Sequence, residues 1–200
     1  MNSGQDAISP VPDGGEDLAP VLVAAAAGDE RAWRDLVRRY GRRVFALAKS
    51  RLRRMDLAEE ITQSVFATVA IKLRDGGYDE QGRFESWLFR IAMNRIRDEV
   101  RRTTRHAAPM DPEAFGRVPG DPGRDAGPDT NELGHLRAAL DELGDADREV
   151  IELRHHAEMS FKQIAEQLGE PMGTLLARHH RALRKLRAIL ESSPAAGGAA

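Results

Sequence analysis

Apolar side chains in the first half of the chain recur at steps of three and four residues, the period of an amphipathic α-helix. The clearest stripe contains Trp33, Leu36, Val37, Tyr40, Val44, Leu47, Ala48 and Leu52. Asp29 precedes this stripe and is a candidate N-cap, because its carboxylate can accept bonds from the unpaired amides of a first turn. A shorter helix, at about residues 17–27, is predicted before it.

Two more helices follow in the same half. The first of them carries Leu57, Ile61, Val65, Val69 and Leu73. Asp56 followed by Glu59 resembles a capping box at its start, and the glycines after Asp75 are a stop signal. The second carries Phe84, Trp87, Leu88, Ile91, Ala92 and Ile96.

The same period returns in the second half of the chain. Leu133, Leu136, Leu140 and Leu143 predict one helix, and another follows Asp145. Ser160 and Gln163 form a capping box for a short helix, and Gly169 fits its C-cap because glycine readily adopts the left-handed conformation. A last helix runs from after Pro171 to about Leu190. The short helix, the turn and the long helix together predict a helix-turn-helix.

Residues 103–131 separate these halves and are rich in proline and glycine. The segment is too long for an ordinary loop and too poor in apolar residues to pack, so we interpret it as a flexible linker. Residues 1–16 are predicted to be a disordered acidic tail, and residues 192–200 a second disordered tail. The expected fold class is all-α, with two small helical domains at 17–102 and 132–191, the second containing the helix-turn-helix.

Charge is distributed unevenly along the chain. Residues 1–30 contain six acidic residues and no Lys or Arg, whereas residues 31–102 contain 18 basic against 10 acidic residues. Residues 174–190 contain five basic residues and no acid. Basic blocks of this kind are candidate surfaces for a polyanion, although a single charge run is more often a solvated helix face.

Several classes of protein do not fit the composition. The chain has no Cys, which excludes disulfide scaffolds and thiolate metal sites. His155-His156 and His179-His180 are adjacent pairs whose members point about 100° apart on a helix, so we expect no metal site. No catalytic triad, phosphate loop or dinucleotide fingerprint is present, and we expect neither an enzyme nor a cofactor.

The start of the chain lacks the basic and apolar regions of a secretory signal. The longest apolar stretch, residues 18–27, is too short to span a bilayer. We therefore expect a cytoplasmic protein without membrane insertion.

The last helix presents two faces with different chemistry. Leu175, Ala182, Leu186 and Ile189 are predicted to face inward. The outward stripe contains Thr174, Ala177, Arg178, Arg181 and Lys185, with Leu176, His180 and Arg184 beside it. Such a helix fits the DNA major groove. A plain packed helical pair is the alternative, but it rarely has a basic outer face.

A second polar stripe lies on the fourth helix. Arg90, Asn94, Arg97 and Arg101 step by four, three and four and therefore share a face. Arginines hold phosphates and an asparagine amide pairs with a base edge. Tyr78 in the preceding loop is either a stacking platform for single-stranded DNA or a packing residue, and the sequence leaves both readings open. For Trp87 we favour a place in the core.

Four segments in order resemble the extracytoplasmic-function (ECF) sigma factors of bacterial RNA polymerase. They are GDERAWRDLVRRY, AEEITQSVF, FESWLFRIAMNRIRDEVRR and, after the linker, SFKQIAEQLGEPMGTLLARHHRALRKLR. The resemblance covers about residues 29–102 and 133–190. It implies a specificity subunit that binds core RNA polymerase and promoter DNA, is a monomer when free, and has an anti-sigma protein as a probable partner.

The resemblance also implies roles for individual residues. Glu60, Gln63 and Ser64 match positions that dock on the polymerase, although the family usually has Glu where this chain has Ser64. Tyr78, Arg90, Asn94 and Arg97 match the part that captures and melts the minus-ten element. The minus-thirty-five element would be read from the last helix by Thr174, Leu176, Ala177, Arg178, His180, Arg181 and Lys185. Leu176 and Ala177 replace hydrogen-bonding residues that many members have, so the promoter sequence does not follow from the resemblance.

Two other classes of protein remain as alternatives. A stand-alone helix-turn-helix regulator would normally dimerise on a palindrome, and it has no need of the AEEITQSVF and FESWLFRIAMN segments. A helical adaptor that binds only proteins, including an antagonist of an anti-sigma protein, would not bind DNA through either domain.

Overall fold

The computed structural model describes residues 18–79, 81–107 and 130–192. These residues form eight α-helices and no β-strand. In chain order the helices are α1 (Ala19–Ala26), α2 (Glu30–Leu52), α3 (Met55–Arg74), α4 (Phe84–Ala107), α5 (Thr130–Asp141), α6 (Asp145–His155), α7 (Phe161–Leu168) and α8 (Met172–Ser192). The all-α prediction with a helix-turn-helix in the second half is confirmed. The acidic tail and most of the predicted linker and C-terminal tail lie outside the described residues.

Local capping chemistry sets three of the helix ends as predicted. An Asp29 carboxylate oxygen accepts bonds of 2.8 Å from the backbone amides of Arg31 and Ala32 at the start of α2. At the start of α7, Ser160 and Gln163 form the reciprocal capping box. Gly169 ends α7 with φ of 69°, the left-handed conformation that a residue with a Cβ adopts at a cost.

The predicted capping box at Asp56 and Glu59 is wrong. Helix α3 already begins at Met55, with Arg54 at the N-cap position and no side-chain cap. Asp56 therefore lies inside the first turn, and its carboxylate pairs with the Arg54 guanidinium instead of capping the helix. A carboxylate in the first turn still interacts favourably with the positive end of the helix dipole.

Helices α1 to α4 pack around the apolar stripes identified in the sequence. Leu36, Val44, Val65, Leu88 and Phe89 have essentially no exposed surface. Complete removal of such side chains from water is the main stabilising contribution in a small helical domain. Because these stripes face inward, the polar faces of α3 and α4 are left on the outside.

The core of the first block continues into the second. Val150, Leu153, Met159, Ile164 and Leu175, from α6 to α8, belong to the same buried cluster as the core of α2 to α4. A smaller cluster joins α5, α6 and α8 and consists of Ala139, Leu140, Leu143, Ile151, Ala182 and Leu186. The two blocks thus pack directly against each other, an arrangement that sequence periodicity does not predict.

Candidate nucleic-acid interface

The helix-turn-helix presents most of its predicted DNA-facing residues to solvent. Leu175 and Ala182 are fully buried and fix the rotation of α8. That rotation exposes Thr174, Leu176, Ala177, His180 and Arg181. Leu176 is an exposed large apolar side chain, with 43% of its surface accessible, so it is available for apolar contact with a partner. The structure therefore exposes these five of the seven predicted residues, and Lys185 is exposed as well.

Arg178 and Lys185 make contacts within the protein. The Arg178 guanidinium makes two contacts with the Glu170 carboxylate, at 2.9 and 2.8 Å, and lies 3.9 Å from Asp147. Its hydrogen bond with Glu170 raises the pKa of Arg178. The Lys185 ammonium donates to the backbone carbonyl of Glu142. Contact of either side chain with DNA requires these bonds to be exchanged for new ones.

A buried histidine on α8 was not identified from the sequence. The His179 side chain faces inward, with its Nε2 3.1 Å from Nε2 of His155 on α6 and its ring edge-on to Phe161. Burial is the main cause that lowers the pKa of His179 from 6.5 to about 4, and burial also lowers the pKa of His155. The pair is therefore neutral at physiological pH and joins α6 to α8 behind the side of α8 that is predicted to face DNA.

The buried histidine predicts acid sensitivity. Since the folded-state pKa of His179 lies below its unfolded value, the unfolded chain binds more protons between pH 6.5 and 4. Stability is therefore complete above about pH 6.5 and falls as the pH decreases toward 4. We expect a loss of about 2 kcal/mol by pH 5 in thermal or urea unfolding. His179→Gln should flatten this dependence, whereas His180→Gln, at an exposed position, should retain it.

The outward face of α4 is accessible, and one of its arginines is ion-paired with the second block. Arg90, Asn94 and Arg101 are exposed. The Arg97 guanidinium lies 3.4 Å from Oδ1 of Asn94 and also pairs with the Glu149 carboxylate of α6. The face thus has the predicted composition, with one arginine already bound to an acid from the second block.

Tyr78 belongs to an aromatic group at the start of α4. Its ring centroid lies 4.4 Å from that of Trp87 and 5.7 Å from that of Phe84. Phe84 is buried, whereas Tyr78 and Trp87 are partly exposed. Trp87 packs against the core as favoured from the sequence. Tyr78 packs against the core and is also partly exposed, so both roles stay open.

The candidate polymerase-docking residues share one face of α3. Gln63 and Ser64 follow Glu60 by three and four positions, so both lie next to Glu60 on the surface of the helix. Glu60 and Gln63 are exposed, and Ser64 is partly buried. The backbone carbonyl of Ser64 accepts a bond of 2.9 Å from the Thr68 hydroxyl.

The described residues contain neither a candidate metal site nor a candidate membrane span. No group of three or more His, Cys, Asp or Glu side chains there could hold a metal ion. Within the same ranges, no helix is both long and apolar enough to cross a membrane.

Each of the two helical blocks matches the model of a known protein family. The family model of Sigma-70 region 2 matches residues 36–106, and that of Sigma-70, region 4 matches residues 139–188. RNA polymerase sigma factor NccH of Alcaligenes xylosoxydans xylosoxydans is 35% identical over 175 residues, which cover 84% of this chain and 92% of NccH. ECF RNA polymerase sigma factor SigE of Mycolicibacterium smegmatis is 35% identical over 170 residues, or 82% of this chain and 65% of SigE. The chain belongs to the ECF sigma factors.

A solved structure of a sigma factor supports the same fold. The structure of CnrH in complex with the cytosolic domain of CnrY matches with a TM-score of 0.65 and 29% identity, and the match covers 88% of this chain and 99% of that chain. As an ECF sigma factor, the protein binds core RNA polymerase and directs promoter recognition and transcription initiation. The region 2 match spans most of α2 together with α3 and α4, and the region 4 match spans the end of α5 together with α6 to α8.

Proposed function

We propose that three surfaces of this sigma factor divide its work. Glu60, Gln63 and Ser64 on α3 dock on core polymerase. Tyr78, Arg90, Asn94 and Arg97 capture the minus-ten element. The exposed side of α8 reads the minus-thirty-five element. The observation that carries the proposal is the rotation of α8, since its buried Leu175 and Ala182 turn a basic face to solvent.

On α8 we assign direct readout to the exposed residues near its N-terminus. Leu176 and Ala177 lack hydrogen-bonding groups, so their contribution is apolar contact with thymine methyl groups. Arg181 and His180 supply hydrogen bonds to base edges or phosphates one turn later. Arg178 joins them once Glu170 is displaced. This division favours thymines where other members of the family read bases by hydrogen bonds.

On region 2 we assign capture of single-stranded DNA to the α4 face and to the aromatic group before it. Arg90, Asn94 and Arg97 hold the strand, while the accessible ring of Tyr78 stacks on an unpaired base. Extrusion of one base costs a few kcal/mol of unstacking. Each domain alone binds weakly, and tethering on the polymerase raises the effective concentration of the second contact.

Docking on core polymerase is assigned to the α3 face, and its charge gives a direct prediction. Glu60→Lys should weaken binding to core polymerase by at least about tenfold, because loss of a close opposite-charge contact typically costs 2 kcal/mol or more. Glu59→Lys is the matched control, since Glu59 is also exposed but points about 100° away on the helix. Pull-down or fluorescence titration with core polymerase measures both. Equal losses in the two variants would contradict the assignment.

An anti-sigma protein is a further expected partner. CnrH was solved with the cytosolic domain of CnrY, which supports a regulatory protein partner for this chain.

Run-off transcription tests the proposal as a whole. Purified core polymerase is incubated with fragments of the source genome, with and without the protein. Transcripts that start at defined sites only in its presence support the proposal, and alignment of the starts gives the promoter. If the protein shifts duplex DNA but neither binds core polymerase nor starts transcripts, the stand-alone regulator becomes the better description.

A further inference from the structure

The arginines of the recognition helix α8 differ in accessibility. Arg181 and Arg184 are exposed, whereas the Arg178 side chain is only 17% exposed. Arg178 follows Thr174 by four residues and precedes Arg181 by three, so it belongs to the same stripe of the helix. Arg178 therefore starts from the side of α8 that is predicted to face DNA, but its guanidinium is partly withdrawn from solvent.

Two acids hold the Arg178 guanidinium. Its Nη1 donates to Oε1 of Glu170 at 2.9 Å, and its Nη2 lies 2.8 Å from Oε2 of the same carboxylate. Its Nε lies 3.9 Å from Asp147, an acid in the first turn of α6. An arginine uses the same parallel pair of N–H groups to bind a phosphate or the O6 and N7 acceptors of guanine. Glu170 thus occupies the donors that a DNA contact of Arg178 would need.

Glu170 is presented to α8 by a turn with a defined backbone. Gly169 before it has the left-handed conformation, with φ of 69°. The Glu170 amide donates to the carbonyl of Ala165 at 3.3 Å. Pro171 after it has a restricted backbone angle and limits the conformations of Glu170 as well. The ion pair with Arg178 therefore forms without the ordering of a flexible loop.

The ion pair has a consequence for binding to unrelated DNA. A guanidinium that is neutralised by a carboxylate adds little to the sequence-independent attraction of phosphates. If a phosphate replaces Glu170, one anion is exchanged for another, and the freed carboxylate then repels the nearby phosphates. Only a site that also engages the neighbouring residues of α8 offsets this repulsion. The pair should therefore weaken contacts with random sequences more than contacts with the right one.

We propose that Glu170 is a specificity-determining residue of the minus-thirty-five reader: it holds Arg178 in an ion pair and so disfavours unrelated duplex DNA more than the cognate element. The inference rests on the proposed function of α8. Glu170 acts by selection against wrong partners rather than by added attraction to the right one. It lowers absolute affinity and raises the ratio between cognate and random DNA.

Binding of the full-length chain to mixed-sequence duplex DNA tests the restraint on Arg178. With a fluorescent duplex of about 20 base pairs, Glu170→Gln should raise affinity by about three- to fivefold, the size expected for one exposed charge pair. The slope of log affinity against log salt should steepen by about 0.9, because one more phosphate contact forms. Glu166→Gln is the matched control, since it removes the same charge from an exposed position on α7. It should change affinity by less than about twofold.

The same titration in an Arg178→Ala background shows whether Glu170 acts through Arg178. Glu170→Gln should then leave affinity and salt slope unchanged, because no arginine remains to be released. Circular dichroism checks that every variant keeps its helix content. A gain that persists without Arg178 would mean that Glu170 repels DNA by itself. A loss of affinity in Glu170→Gln would mean that the pair supports the helix-turn-helix. Either result overturns the proposal, as do equal gains in the Glu166 control or no measurable change.

Binding by the holoenzyme tests specificity. On a promoter identified by run-off transcription, Glu170→Gln should lower the ratio of cognate to mixed-sequence affinity by about threefold. If the parent chain yields promoter-specific transcripts but this ratio does not change, the proposal is overturned and the proposed function stands. If no transcripts form while Glu170→Gln still raises mixed-sequence affinity only in the presence of Arg178, the proposed function fails and the restraint by Glu170 is supported.

Discussion

Replacement of Arg181 by glutamate should sharply reduce promoter-specific transcription while leaving binding to core polymerase intact. Loss of one base or phosphate contact from a recognition helix costs about 1–3 kcal/mol, and the reversed charge adds repulsion from phosphates. We therefore expect run-off transcription to fall by about two orders of magnitude at limiting protein. The core-binding surface assigned to α3 belongs to a different helix, so the titration with core polymerase should be unchanged.

Arg187→Glu is the matched control for Arg181→Glu. Arg187 lies on the same helix about 9 Å further toward the C-terminal end, its side chain is 80% exposed, and it pairs with Glu191. The two variants alter net charge equally, so a general electrostatic effect would lower both. Equal losses would show that the exposed side of α8 does not read the promoter.

Local signals in the sequence were sufficient where one short segment determines the structure. Asp29, the Ser160–Gln163 pair and Gly169 act on amides and carbonyls a few residues away, so their effect follows from chain geometry alone. Asp29 determines where α2 begins, Ser160 and Gln163 determine where α7 begins, and Gly169 determines where α7 ends before α8. For that reason the exposed placement of Thr174 and Arg181 was predictable from periodicity.

Side-chain partners on α8 were less predictable, although one signal was present. His179 falls between Leu175, Ala182 and Leu186 at steps of four, three and four, which is a core spacing. Because histidine is polar, periodicity alone did not assign His179 to the core. Its pairing with His155 depends on how α6 packs against α8. Arg178 belongs to the outward stripe, but its guanidinium pairs with Glu170. Periodicity does not determine whether an outward arginine points into solvent or pairs with a nearby acid.

The packing of region 4 on region 2 had no signal in the sequence. Its hydrogen bonds join residues such as Ser50 and Glu152, which are 102 positions apart on opposite sides of the predicted linker. Amphipathic analysis assigns a buried face to each helix but not the partner of that face. Glu152 itself, read alone, is a polar residue between Ile151 and Leu153 with no indication of burial.

Glu152→Ala should produce the largest loss of stability among single substitutions in this contact. The substitution leaves Arg51 and Arg148, whose side chains are only 16% and 12% exposed, without their shared carboxylate. Removal of one partner from a buried ion pair typically costs about 3–5 kcal/mol. For a chain of this size we expect the melting temperature to fall by about 10 °C. Glu142→Ala, at an exposed position, should shift it little.

The shape of the unfolding transition should also change, because Glu152 joins two blocks that share a core. Val150 and Leu153 flank it on α6 and are buried in the same cluster as Leu36 and Val44 of α2. Shared burial predicts one cooperative calorimetric transition for the parent chain. In Glu152→Ala the blocks should separate and unfold in two steps, whereas Glu152→Gln, which retains an acceptor for Ser50, should remain closer to the parent. A single transition at the parent temperature in Glu152→Ala would mean that apolar packing alone holds region 4 on region 2.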